Sequence, residues 1–259
     1  MKSVLDKTRA INRLLQTTAG KPVSFREMAE VLRDNIVCNV YIIGRRGKIL
    51  GHAFMEDFYC ATMENMIGKA DFPGHFNTDM LAITQTRANI SEHNHDCFFG
   101  VQGIICPQHY KMITVIPIIG GGERLGTLVL AKTEGEFTDG DMVLGEYGAT
   151  VVAVEIVRSN AEKAEEVARR KAAVQIALGT LSYSEREAVE HIFAELEGNE
   201  GLLVASKIAD RVGITRSVIV SALRKFESAG VIESKSLGMK GTFIRVLNEY
   251  LLEELSQTN

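Results

Sequence analysis

The sequence of 259 residues contains no tryptophan, 4 prolines and 4 cysteines. Scarce proline and 23 glycines without a period exclude collagen-like and low-complexity chains. Cys38, Cys60, Cys97 and Cys106 form no C-x-x-C pair, so reduced, buried thiols are expected. The longest apolar runs, such as Met112–Ile119, fall far short of the roughly 20 residues that span a bilayer. Charges interrupt the N-terminal apolar stretch, so no signal-peptide core is expected and the location should be cytoplasmic. There is no Ser/His/Asp arrangement, nucleophile elbow or paired-carboxylate motif, so nothing supports catalysis.

What is present is an ordinary globular composition, 46% hydrophobic and 24% charged. That is enough apolar residue to repay the entropy of ordering and build a full core. The length suits one large or two modest domains. A net charge of −4 argues against a nucleic-acid partner, but its distribution argues for one. Residues 202–247 hold eight basic residues, Lys207, Arg211, Arg216, Arg224, Lys225, Lys235, Lys240 and Arg245, against Asp210, Glu227 and Glu233. This block carries +5 and the rest of the chain −9. Phosphate attraction is local, so a basic block on an acidic body is a partner signal.

Residues 3–18 carry Val4, Leu5, Ile11, Leu14 and Leu15 at helical spacing. Ser24 with Glu27 predicts a capping box for a second helix, ending near Ile36. The β-branched run from Cys38, the turn Gly44-Arg45-Arg46-Gly47-Lys48 and the return from Ile49 predict a β-hairpin. Residues 55–100 show no clear period beyond helical patches at Met63–Ile67 and Phe76–Leu81. The runs 112–119 and 125–132 predict two strands around a Gly-rich turn. Phe137-Thr138-Asp139 then opens a helix without proline to about Leu178, roughly 55 Å long at 1.5 Å per residue. Its first half is apolar and its second charged, as in a helical linker between domains. Ser184 with Glu187 predicts a further capping box, for a helix to Leu196.

Residues 205–224 have the spacing of a helix-turn-helix. Ala209 supplies the small residue where the helices touch, and Gly213 the turn residue tolerant of positive φ. Ile208, Val212, Ile214, Ile219 and Ala222 fall on the inward offsets, and Thr215 is placed to cap the second helix. Arg216, Ser217, Val220, Ser221 and Arg224 then face outward. Two short strands follow around a Gly238–Gly241 tip bearing Lys235 and Lys240, which makes a winged helix. DNA binding follows, with the second helix in the major groove and the wing over the backbone. Ala205, Ser206, Lys207, Thr215, Arg216, Ser217, Ser221, Arg224, Lys235 and Lys240 are the candidate DNA-binding residues.

Other motifs are less specific. The Gly120–Gly126 segment lacks the Lys of a phosphate-binding P-loop and precedes a strand, so it reads as a hairpin turn. Arg45, Arg46 and Lys48 are either a solvated hairpin tip or an anion site. His93, His95 and Cys97 alternate but lack a fourth ligand and standard spacing, so no metal is assigned. Met63, Met66, Phe72, Pro73, Phe76, Phe98 and Phe99 form either a satellite core or a small apolar ligand pocket.

The stretch VIPIIGGGERLGTLVLAK…FTDGDMVLGEYGATVVAVEI resembles the closing half of a GAF domain. VASKIADRVGITRSVIVSALRKFESAGVIESKSLGMKGT resembles the DNA-binding module of the CodY family, dimeric nutritional repressors of low-GC Gram-positive bacteria. KTRAINRLLQ…GKPVSFREMAEVLRDNI and IIGRRGKILG are similar to that family too. The resemblance implies control by GTP and branched-chain amino acids (isoleucine, leucine, valine), with no catalytic cofactor. It implies a GTP site of Val23, Phe25, Arg45, Arg46, Lys48 and Glu155. It implies an amino-acid pocket of Thr62, Met63, Met66, Phe72, Pro73, Phe76 and Phe99. Two positions depart from the family pattern: Thr62 stands where the family has Arg, and Gly100 where it typically has Pro.

The expected fold is α+β, with a GAF-like domain at 1–137, a long linker helix at 138–180 and a winged helix-turn-helix at 181–259. The expected function is a homodimeric, effector-controlled transcriptional repressor on double-stranded DNA, with no membrane partner. A nucleotide-processing enzyme and a winged-helix scaffold that binds only protein are the alternatives.

Overall fold

The computed structural model describes residues 3–17, 22–56, 67–68, 74–91, 112–196 and 198–257. The chain divides into two compact units, Met1–Asn160 and Ala161–Asn259. The division falls inside the long helix, because its first half packs into one core and its second half into another.

In the first unit, helices α1 (Val4–Thr17) and α2 (Phe25–Ile36) precede strands β1 (Asn39–Gly44) and β2 (Ile49–Ala53). Helix α3 (Gly74–Ala82), strands β3 (Arg87–Ile90), β4 (Met112–Gly120) and β5 (Glu123–Lys132), and helix α4 (Asp139–Gly179) follow. The five strands form one antiparallel sheet in the order β2-β1-β5-β4-β3. β1 is buried along its whole length because both faces of the sheet are covered. Val40, Ile42, Ile116, Ile118, Leu128 and Leu130 face one core with Leu32, Leu144 and Val152 of the helices. Their alternates Tyr41, Ile43, Ile113, Val115, Val129 and Ala131 face a second, with Met80 of α3. The side-chain period of two makes this division.

Two polar staples close the unit. Asn89, at φ 52°, holds the backbone of Phe137 with both amide atoms, at 2.7 and 3.0 Å. Lys132 meets Asp141 at 2.9 Å, tying the end of β5 to the first turn of α4. Burial works to raise the Asp141 carboxyl, but hydrogen bonds from Lys132 and Thr138 outweigh it and hold it below its usual range. Cys38 is buried, and burial pushes its thiol up to about 12, as expected of an inert structural cysteine.

In the second unit, α5 (Tyr183–Ala194), β6 (Glu200–Leu203), α6 (Ala205–Val212) and α7 (Arg216–Ser228) lead to strands β7 (Ile232–Ser236) and β8 (Thr242–Val246) and helix α8 (Leu251–Gln257). The three strands pair in the order β6-β8-β7. The capping box that opens α5 is Ser182 with Glu185, not Ser184 with Glu187. Both pairs have S-x-x-E spacing, and the earlier register lets the Glu185 carboxylate reach partners beyond the cap. Thr215 is the N-cap of α7 but makes no capping bond; its hydroxyl lies 2.7 Å from that of Ser217. Among the described residues no helix is long and apolar enough to cross a membrane.

Candidate effector and DNA-binding sites

The β1–β2 turn presents Arg45, Arg46 and Lys48, all exposed. The Arg45 N–H donates to Leu125 at 2.8 Å, which sets this turn beside the β4–β5 turn. A side chain at Gly120 would come within 3.1 Å of Val157 and 3.4 Å of Ala153, so α4 runs close by. Phe25 lies against β2: a side chain at Gly51 would come within 2.5 Å of its carbonyl oxygen. Val23 is buried in the core that also holds Val151, Val152 and Ala153. Glu155 is buried and receives Arg158 at 2.8 Å. The Arg45, Arg46 and Lys48 turn therefore stands beside the β4–β5 turn, and the Gly120 end of that hairpin lies close to α4. Arg45 lies 3.8 Å from Glu123, an exposed pair of little strength, while Arg46 and Lys48 make no ion pair among the described residues.

A cavity of about 610 Å³ opens on the other side of the sheet, beneath α3. Phe76, Met80, Ile83, Ile90 and Val115 supply its apolar wall, and Arg87 also lines it. Of the expected amino-acid pocket, Phe76 is here; Thr62, Met63, Met66, Phe72, Pro73 and Phe99 lie outside the described residues, as do His93, His95 and Cys97. Arg124 was not anticipated as a site residue. Its guanidinium donates to the Met80 carbonyl at 3.1 Å, to the Ile83 carbonyl and to Thr127 at 2.9 Å, and so fixes the end of α3 that walls the cavity. Asn77 of α3 donates to the Arg45 carbonyl at 2.9 Å, joining the cavity wall to the cationic turn.

The helix-turn-helix is built as its spacing requires. Gly213 takes φ 76°, its N–H donates to Ala209 at 2.9 Å, and Ile208, Ala209, Ile219, Ala222, Leu223 and Phe226 are buried. The structure sorts the basic block into two groups. Arg211 pairs with Glu195, Lys225 with Glu185, and Arg245 with Glu200 and Glu233. Lys207, Arg216, Arg224, Lys235 and Lys240 are exposed and make no ion pair among the described residues. Ser206, Thr215 and Ser217 are exposed and Ala205 partly so. Ser221 is the exception in the candidate set: its hydroxyl donates inward to Glu185 at 2.7 Å.

Glu185 is the centre of this unit's polar contacts. Its carboxylate accepts the Ser182 N–H at 2.7 Å and Lys225 at 2.6 Å. Lys225, with the hydrogen bonds from Ser182 and Ser221 and against burial, holds its carboxyl down to about 2. A carboxyl with a lower pKa when folded stabilises the fold above its ordinary range, near 4.5, and loses that effect as pH falls toward 2. The stability gap between wild type and Glu185→Gln is therefore expected to be largest above about pH 4.5 and to close toward about pH 2. Denaturant unfolding across this range checks it; a gap as wide at about pH 2.5 as at about pH 7 contradicts the assignment.

Comparison with known proteins identifies two domains along the chain. The model of the CodY GAF-like domain matches residues 3–180, and that of the CodY helix-turn-helix domain residues 199–259. The global transcriptional regulator CodY of Clostridium botulinum (strain Hall) is 56% identical over 258 residues, 99% of each chain. That of Clostridium kluyveri is 55% identical over the same share. The solved cofactor-binding GAF domain of the nutrient sensor CodY from Clostridium difficile is 36% identical, covering 60% of this chain and 99% of its own, with a TM-score of 0.41. With a GAF domain followed by a winged helix-turn-helix and relatives matched end to end, the chain belongs to the CodY family: it is a DNA-binding transcriptional regulator and not an enzyme.

Proposed function

We propose that this regulator acts mainly as a repressor in the cytoplasm, reads operator DNA as a homodimer, and is controlled by GTP and a branched-chain amino acid. The observation that carries the reading is the meeting of the Arg45, Arg46 and Lys48 turn with the β4–β5 turn and α4. A triphosphate needs several convergent donors, and Arg supplies a planar fork that Lys does not. Glu155 accepts the N1 and N2 hydrogens of guanine, which selects against adenine; Val23 and Phe25 pack beside the base. The cavity beneath α3 takes the amino acid. Burying an aliphatic side chain there contributes about 1.5–3 kcal/mol. The carboxylate requires a cationic partner. With Thr62 at the position of the family's Arg, Arg87 on the cavity wall takes that role.

The homodimer is supported by an exposed apolar stripe. Val143, Val154 and Val157 of α4 are exposed and share one helical face with Thr150. Val4 and Leu5 of α1 are also exposed, and Val4 lies 3.0 Å from the Cβ position of Gly140. Effector binding then shifts the arrangement of the paired reading units through the long helix.

Calorimetry tests the effectors. Wild type should take up GTP without turnover, Arg45→Ala should weaken GTP about tenfold or more, and Arg87→Ala should weaken isoleucine alone. Absence of heat from both ligands in wild type would remove the reading. Salt-titrated binding to selected DNA fragments tests the interface. Arg216→Ala should cost about 1–3 kcal/mol on the matched site and relax sequence preference. Lys240→Ala should weaken all sequences alike and reduce the salt slope by about one.

A further inference from the structure

The Glu185 carboxylate does more than a cap requires. A capping glutamate needs only the N-cap N–H, here Ser182 at 2.7 Å. Glu185 also binds two residues of α7 one turn apart, Ser221 at 2.7 Å and Lys225 at 2.6 Å. Lys225 donates in addition to the Thr180 carbonyl at 2.8 Å, between α4 and α5. The Glu185 side chain is 8% exposed. Two contacts at i and i+4 fix the rotation of a helix about its own axis, as one contact cannot. Ser221 and Lys225 border the outward stripe of α7, whose members Arg216, Ser217 and Arg224 are exposed. Released, Lys225 is a long cation beside that stripe, free to reach a phosphate.

We propose that Glu185 is a positioning residue for DNA recognition: it sets the rotation of α7 and withdraws Ser221 and Lys225 from the DNA-facing surface. Arg216, Ser217, Val220 and Arg224 remain as the reading set. The inference rests on α7 being the helix that enters the major groove. It runs against the plain expectation for a basic block, in which every cation adds to phosphate binding.

The test compares a duplex selected by the protein from random DNA with the same duplex carrying two substituted base pairs, over a salt series. Glutamine can still accept the Ser182 N–H with its one carbonyl oxygen and donate from its amide to the Ser221 hydroxyl, but it cannot hold Lys225 as an ion. For Glu185→Gln the salt slope should steepen by about 0.9, binding to the substituted duplex should rise several-fold, about threefold or more at low salt, and the matched-to-substituted ratio should fall about tenfold. Adding Lys225→Gln to that variant should return the slope to the wild-type value. Lys225→Gln alone should leave the slope unchanged, because wild-type Lys225 does not meet phosphate. A slope reduced by about 0.9 in Lys225→Gln overturns the proposal, even if Glu185→Gln does not fold. Unchanged slope and ratio in a folded Glu185→Gln would leave Glu185 a cap and also overturn it. Arg216→Ala separates the underlying reading: if it keeps full sequence preference, α7 is not the reader.

Discussion

One helix is obliged to be core twice. Val151 and Val152 of α4 are buried against the sheet of the first unit, and Val174, Ala177 and Leu178 against the helices of the second. Neither core is complete without it, so the helix must persist through the solvated stretch between them. Residues 160–165 and 167–170 are exposed, and no apolar burial holds them. Their stability comes from helix-forming Ala, Glu, Lys and Arg, from the absence of proline, and from local ion pairs. Glu166 meets Arg169 at 2.6 Å and Arg170 at 2.7 Å. Such exposed pairs contribute little, so helix propensity does most of the stabilising.

The far half of α4 is part of the reading unit rather than a tether to it. Asn248 donates to the Arg170 carbonyl at 2.8 Å, Lys171 meets Glu253 at 3.1 Å, and Gln175 donates to Glu254 at 3.1 Å. Lys225 reaches the Thr180 carbonyl from α7. Through these bonds the far half of α4 is held to the helix-turn-helix unit. Polar pairing also decides which cations remain for DNA. Arg211, Lys225 and Arg245 are held by carboxylates, and among the described residues Lys207, Arg216, Arg224, Lys235 and Lys240 are not.

Local pattern made much of this legible. The apolar runs 112–119 and 125–132 appear as β4 and β5, and the helix-turn-helix follows from Ala209, Gly213 and the inward offsets. β6 is not legible, because Glu200–Leu203 is short and its partner strand β8 (Thr242–Val246) is distant in sequence. The S-x-x-E spacing alone does not place the cap of α5, because Ser182 and Ser184 both precede a glutamate by three. The tertiary partners of Glu185 decide between them, and those lie 36 and 40 residues away. Arg124 and Asn77 were missed for the same reason: neither carries a local signal, and each acts on backbone carbonyls brought near by folding. The cationic turn was visible as a cluster, but what it stands beside was not.

Under the proposed effector control, ligand binding in the first unit reaches the reading unit through α4. The direct test is Ala164→Gly with Ala168→Gly in its exposed middle, each costing about 1 kcal/mol of helix stability. DNA affinity is then measured with and without saturating GTP and isoleucine. The variant is expected still to bind both effectors and still to bind DNA, while the effectors no longer change its DNA affinity. An effector response equal to that of wild type would contradict it.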